Sequence, residues 1–525
     1  MLLGRFSLDM SLQVQKLNLS PFGRAVSVAP RQMLKSSCLR SSLGSESVDV
    51  KKDSGIPPWL PSFGTAALGG ALFGSDIGTS SSVVRILGEG TSSLGALSAI
   101  EIGQIASVSL GGAMFASGAL IAIGDMELGR KDELKIATVL YLVGTLTQSL
   151  SPTFATIIIG RIIYGLGIGT AMHVAPLYIA ETAPNNLRGK LVSLKEAAIV
   201  AGIIAGYLAG AALGGQSPSF NLAGMESWRT MFLTALPLEL AMAVGAFGAA
   251  TESPRWLALR QRSEDSVAAL MQCQGLGEQE AREQVVVMTR ASASSEAQES
   301  DGGIRAQLAE IFDSPYNRKA LFIGVGLVLL QQLSGQPSVL YYANRIFEDA
   351  GLGYEAAVGV GVFKLLMTVL SSYLVENPSF GRKSLLLYGN IGVTLSLGGL
   401  TALYGLAGTD GPSTNAIIAC ILAFVGSYQI GFGPITWLVL SEIFPLRIRS
   451  AAVSMGTLAN FGSNLLVALL FETERQYLGE TALFGQFALI AAAAVVFTAT
   501  SVFETRGLSL EQIEERLRET VDKDQ

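Results

Sequence analysis

Asp76 is the one charged residue in the stretch from Trp59 to Val84, which is long enough to cross a bilayer. A carboxylate at the middle of a membrane helix costs about 2.5 to 3.5 kcal/mol on insertion scales, so an acid kept there points to a function. Its partner and purpose must lie elsewhere in the chain. His173, the single histidine, lies between Gly169 and Pro176 on the fourth apolar stretch and belongs to a residue type that titrates near physiological pH. We read it as a packed, hydrogen-bonded residue rather than a proton relay. Glu101 and Glu239 fall in the second and sixth stretches, with no partner that spacing identifies. No Walker A sequence occurs, and no nucleophile and base stand in a catalytic arrangement. Cys38, Cys273 and Cys420 are too scattered for a metal site or a disulfide framework. The expectation is therefore a protein that is not an enzyme, with no cofactor, no metal and no nucleic acid.

The elements that must hold Asp76 follow from composition. Half of the 525 residues are apolar, 15% are charged, and the mean hydropathy is +0.45. A soluble globular domain carries about 25% charged residues, so this balance points to the lipid bilayer. Twelve apolar stretches approach the length of about 20 residues that a crossing needs. They centre roughly on residues 73, 110, 142, 166, 202, 240, 331, 365, 395, 427, 461 and 491. Small-residue runs such as "GRIIYGLGIG" let membrane helices approach closely. Basic residues alternate by side: Arg130, Lys131 and Lys135, then Arg188 and Lys190, Arg382 and Lys383, and Arg447, Arg449 and Arg506. The loops between are mainly acidic, with Glu348, Asp349, Glu472, Glu474 and Glu480. The positive-inside rule puts both ends of the bundle and the long central loop on the inner side.

A repeat lies in the loops. Gly129-Arg130-Lys131 after the second stretch matches Gly381-Arg382-Lys383 after the eighth, and Glu252 matches Glu504, both at an offset of 252 residues. Glu181, Pro184, Arg188 and Ser193 match Glu442, Pro445, Arg449 and Ser454 with identical internal spacing at an offset of 261. Three matches in order imply two parallel halves of six helices, an arrangement that places a site near the midplane between them. The predicted fold class is an all-α membrane protein with the major facilitator fold. Its halves are expected over 60–250 and 319–505, joined by an inner-side linker over 251–318 and followed by a tail over 506–525. We expect Arg130, Glu181, Arg188, Glu252, Arg382, Glu442 and Arg449 to form an inner gate that pairs within and between the halves. Lys190 serves only the positive-inside rule.

Residues 1–50 hold ten serines and six Lys or Arg, with Asp9 the sole acid before Glu46 and no apolar run of a secretory kind. That composition fits an organellar transit peptide, with a disordered cytosolic tail as the alternative.

The segments "GRIIYGLGIGTAMHVAPLYIAETAPNNLRGKLVS", "ESPRWL", "QQLSGQPSVLYY", "GPITWLVLSEIFPLRIRSAAVS" and "ETRGLSLEQIEE" together resemble the sugar porter family of the major facilitator superfamily, over about residues 60 to 515. With the basic, Ser-rich leader, the likeness is to plant plastid members described as xylose/proton symporter-like. The resemblance implies a proton-coupled monosaccharide (hexose or pentose) symporter in the plastid envelope, working by alternating access as a monomer on sugar and proton. A facilitative uniporter is the nearest alternative and a non-transporting sugar sensor a more distant one. It also implies that Asp76 pairs with Arg161 for proton coupling. Gln331, Gln332, Trp437 and Asn460 then take family sugar-binding positions, and Tyr341 and Tyr342 take the outer gate. Three positions depart from the family pattern: Glu196 stands where many members have Gln, Pro337 where they have Asn, and Lys364 where they have Asn. We expect Pro337 to kink its helix. Glu196 and Lys364 are expected to bind substrate and to pair across the two halves.

Overall fold

The computed structural model describes residues 57–518, apart from 91, 124–127, 185–186, 215–223, 297–302, 378, 407–412, 507, 509–511 and 514. The leader of residues 1–50 and the end of the tail lie outside the described residues. The first half holds α1 (Leu60–Gly88), α2 (Ala99–Ile123), α3 (Arg130–Ser149), α4 (Phe154–Thr182), α5 (Arg188–Leu213) and α6, built from Ser227–Leu233 and Leu236–Val244. Four short helices follow, Pro254–Leu259, Ser263–Gln274, Glu278–Glu296 and Gly303–Asp313. The second half begins with α7, built from Pro315–Leu333 and Gln336–Tyr341, then α8 (Tyr354–Glu376), α9 (Arg382–Leu406) and α10, built from Thr414–Ile430 and Phe432–Glu442. The helical run Leu446–Ser501 is broken at Gly479, whose φ of 74° and ψ of 165° turn the chain back, giving α11 over 446–478 and α12 over 480–501.

By length and composition alone, nine described helical segments could cross a membrane, and the last of them contains both α11 and α12. α1 and α3, the crossings centred near residues 73 and 142 in the sequence, fall outside these nine segments because they carry more polar residues. Asp76, Thr79, Ser80, Ser81 and Ser82 on α1 are all buried, so α1 is polar because protein rather than lipid surrounds it. α3 opens on Arg130, Lys131, Asp132 and Glu133, which lowers its apolar average at the inner end only.

Local chemistry sets several helix ends. Ser98 and Glu101 form a capping box: the Ser98 N–H donates to Glu101 Oε2 at 2.8 Å and the Glu101 N–H to Ser98 Oγ at 3.4 Å. This is the partner that spacing alone left open for Glu101. Thr153 and Ser253 accept backbone N–H groups at the starts of α4 and of the first linker helix. The two halves of α7 meet at Gly335, whose φ of 89° is left-handed. Pro337 sits in the first turn of the restarted helix, where a missing N–H costs nothing. The break that was expected at Pro337 therefore comes two residues earlier, from the glycine.

In the first half α1 packs along α5, and α4 packs between α2 and α3. The α1 and α5 backbones touch: a Cβ at Gly74 would fall 1.8 Å from the Ile199 carbonyl oxygen. The two halves meet along α2 with α11 and α5 with α8. The linker helices have a small apolar core of their own, with Ala258, Val267, Leu270, Ala281 and Val285.

Candidate functional site

Asp76, midway along α1, meets Arg161 of α4 in a direct ion pair between Oδ1 and Nη1. Arg161 is fully buried and Asp76 nearly so. Ser109 of α2 ties the pair: its hydroxyl donates to Asp76 Oδ2 at 2.9 Å and accepts from Arg161 Nη2 at 3.0 Å. Arg161 Nη2 also donates to the Ala106 carbonyl at 3.2 Å, and the guanidinium lies 5.9 Å from the centre of the Phe232 ring. Three helices thus hold one buried ion pair, which protonation of the carboxylate would convert into a lone cation with two remaining acceptors.

A second acid lies behind this pair. Glu239 of α6 is fully buried and accepts the Thr145 hydroxyl of α3, while its Oε2 has no partner among the described residues. Tyr141 and Tyr164, edge to face at 4.8 Å, stand beside it and donate to the Gly69 and Leu72 carbonyls, each at 3.1 Å. Sequence reasoning found no partner for Glu239 because Thr145 comes from another helix, at no readable spacing.

The amides gather in the second half. Gln332 of α7 donates to Asn460 Oδ1 of α11, and Gln331 donates to the Phe432 carbonyl at 3.1 Å. Gln331 Oε1, Gln332 Oε1, Tyr341 OH, Ser338 Oγ and Thr436 Oγ1 are buried without a hydrogen-bond partner among the described residues. Buried polar atoms are normally paired, so a cluster of unpaired acceptors and hydroxyls suits a ligand rich in hydroxyls. Trp437 of α10 is exposed.

Glu196 and Lys364 do not meet. Glu196 Oε1 pairs with the neighbouring Lys195 at 3.0 Å, and Lys364 donates to Gln429 Oε1 at 2.9 Å. The expected cross-half pair is absent because each group has a partner in its own half.

At the inner face the repeat becomes geometry. Arg130 Nε lies 3.4 Å from Glu181, the Ser253 hydroxyl donates to Glu181 at 2.6 Å, and Glu252 accepts the Lys131 N–H at 3.1 Å. In the second half Arg382 Nη2 lies 3.3 Å from Glu442, the Thr505 hydroxyl donates to Glu442 at 2.6 Å, and Glu504 accepts the Lys383 N–H at 3.1 Å. None of these named bonds joins the first half to the second. Arg449 donates to the Phe444 carbonyl at 3.0 Å, and Arg188 opens α5. His173 Nδ1 lies 3.0 Å from Glu133, which also binds Arg130 at 3.4 Å, so the histidine is packed into the inner-face cluster as the sequence suggested.

At the outer face the bonds cross between halves. Asn344 donates through its backbone to Ser81 Oγ at 3.0 Å and through its side chain to Ser82 Oγ at 2.9 Å. Arg85 pairs with Glu348 at 3.2 Å, and the Tyr207 hydroxyl donates to the Leu340 carbonyl at 2.7 Å. Tyr341 and Tyr342 are buried beneath this layer, with Tyr342 donating to the Ala468 carbonyl at 2.8 Å. The Asn344, Arg85 and Tyr207 contacts join the two halves at this end of the bundle.

Two six-helix halves, a buried carboxylate–guanidinium pair in one and an amide cluster in the other define a membrane transporter of the major facilitator class. The family model described as "Sugar (and other) transporter" matches residues 64–517, and the chain belongs to that sugar transporter family. It is 41% identical over 471 residues to the "D-xylose-proton symporter-like 3, chloroplastic" of Arabidopsis thaliana, covering 86% of this chain and 81% of that one. It is 32% identical to the "Glucose transporter GlcP" of Staphylococcus epidermidis, covering 86% of this chain and 96% of that one. Among solved structures, the inward open conformation of the xylose transporter XylE from E. coli is similar, with a TM-score of 0.71, 27% identity, and coverage of 86% of this chain and 98% of that one.

Proposed function

We propose that this chain is a proton-coupled monosaccharide symporter of the plastid envelope that works by alternating access. The observation that carries the reading is the buried Asp76–Arg161 pair on a helix that also holds the outer latch. Ser81 and Ser82 lie five and six residues beyond Asp76 on α1, within two helical turns. A change in how Asp76 is held is therefore delivered along α1 to the contacts that close the outer side. Arg161 has Ser109 and Ala106 as acceptors when the carboxyl takes a proton, so protonation loosens α1 from α4 without stranding the cation. For this to couple gradients, proton and sugar must each bind the two conformations with different affinity.

The halves over 60–250 and 319–505 serve as the rocking bodies. Gln331, Gln332, Asn460 and Trp437 hold the sugar hydroxyls and ring face, and Tyr341 and Tyr342 close above it. Glu181, Arg130, Arg188 and Glu252, with Arg382, Glu442 and Arg449, govern the inner side. The names of the Arabidopsis and Staphylococcus relatives support a pentose or hexose as substrate. The chloroplastic relative and the basic, acid-poor leader support the plastid, and one chain contains both halves, so we take the working unit as a monomer.

Uptake of labelled xylose and glucose into proteoliposomes, with and without an imposed proton gradient, tests the reading. Wild type should accumulate sugar against its gradient, while Asp76→Asn should retain exchange and lose accumulation. Equilibration indifferent to the gradient in both proteins would make this a facilitator. A fluorescent reporter fused to residues 1–55 should enter plastids; retention in the cytosol would remove that localisation.

A further inference from the structure

Lys364 is a buried ammonium beside the amide cluster: it faces the Tyr428 ring, Tyr428 packs on Phe432 at 5.8 Å between ring centres, and Gln331 donates to the Phe432 carbonyl. A neutral sugar gives this ammonium no counter-charge. Lys364 lies on α8 with 7% of its surface exposed and lines a small cavity with Gln336, Leu340, Phe424 and Tyr428. Its Nζ donates to the neutral Gln429 amide and stands 5.6 Å from the centre of the Tyr428 ring. An ammonium carries three N–H donors, and one of them has an acceptor among the described residues. Glu196, on α5 of the other half, is within electrostatic reach. Its charge is already engaged by Lys195 at 3.0 Å, and more than half of its side chain is exposed. Glu196 is thus already matched by Lys195, and Lys364 keeps no full counter-charge of its own.

We infer that the site takes a monosaccharide bearing one carboxylate, a hexuronate, with the carboxylate on Lys364 and the sugar hydroxyls on the amide cluster. This rests on the symporter reading above and names its substrate class. A single ammonium beside an aromatic ring and an amide suits a singly charged carboxylate. A phosphate, with more charge and more acceptors, is better met by the forked donors of arginine. The Gln331 and Gln332 oxygens, buried without partners, remain for the hydroxyls that uronates share with neutral hexoses.

Uptake of labelled glucose, xylose, glucuronate and glucose 6-phosphate into proteoliposomes under a proton gradient tests the inference. A charge-assisted hydrogen bond should favour glucuronate over glucose by about tenfold or more in half-saturation concentration. Lys364→Gln should erase that ratio, and Lys364→Arg should keep it. Glu196→Gln, which leaves Lys364 in place, should widen it. Preference for glucose or for the phosphate ester in wild type, or a ratio unmoved by Lys364→Gln and Glu196→Gln alike, would overturn the inference while leaving a sugar symporter intact. Accumulation of none of these sugars would overturn the symporter reading itself.

Discussion

Asp76 and Arg161 are each costly in a bilayer core, and each is tolerated because the other is there. Removing Arg161 leaves the Asp76 carboxylate with the Ser109 hydroxyl alone, at a cost of about 3 to 5 kcal/mol, whereas Arg161 without the carboxylate charge keeps two acceptors. Arg161→Leu should therefore lower the unfolding midpoint of the purified protein sharply, and Asp76→Asn combined with Arg161→Leu should recover much of the loss. Equal midpoints for the single and double variants would show that the charges do not sustain one another. Ser109→Ala should have a smaller effect, about 1.5 to 3 kcal/mol, because it removes one bridging hydroxyl and leaves the ion pair. Asp76 was legible in the sequence as a lone acid in an apolar stretch. Arg161 and the amide positions became legible only through the family resemblance, since nothing about one Arg or Gln in a helix says which way it points. Glu239 and its Thr145 partner, and the engagement of Glu196 by Lys195, were not legible at all, because they depend on which faces of neighbouring helices meet.

At the scale of elements, contact between backbones decides how close the halves come. Gly103 on α2 faces α11, and a Cβ there would fall 2.1 Å from the Leu469 carbonyl oxygen, a backbone atom that cannot move aside alone. Both residues lie toward the outer ends of their helices, where the halves are joined. Gly103→Ala should therefore hold the outer side open without unfolding either half. A cysteine at Ser338, buried in this conformation, should then be labelled from outside several-fold faster than in the Gly103 background. Unchanged labelling would mean that the α2 and α11 contact does not limit closure. The sequence supplied the number of crossings because hydropathy reports lipid contact over about 20 residues. It placed the interruption of α7 at Pro337 rather than Gly335 because a proline is visible as a helix breaker, whereas a left-handed glycine is known only from its backbone.

At the scale of the whole molecule, the two halves repeat not only their charges but their bonds. The hydroxyls that reach Glu181 and Glu442 come from Ser253 and Thr505, directly after Glu252 and Glu504. The repeat was legible in the spacing of the charged residues. The hydroxyls were not, because Ser and Thr are too common to mark a match. If these clusters set the inner gate, Glu181→Gln and Glu442→Gln should each slow uptake by about tenfold, the worth of one charge-assisted hydrogen bond, while sugar binding persists. Uptake at the wild-type rate in both variants would reduce the clusters to scaffolding.

The most direct test of the central claim is proton movement driven by sugar alone. Proteoliposomes with equal pH inside and out would receive xylose, glucose or glucuronate outside, and the internal pH would be followed with a trapped dye. Coupling through Asp76 predicts that a transported sugar acidifies the lumen in wild type and fails to do so in Asp76→Asn, although that variant still exchanges sugar. Sugar entry at wild-type rates with no change of internal pH, or acidification that survives Asp76→Asn, would contradict it.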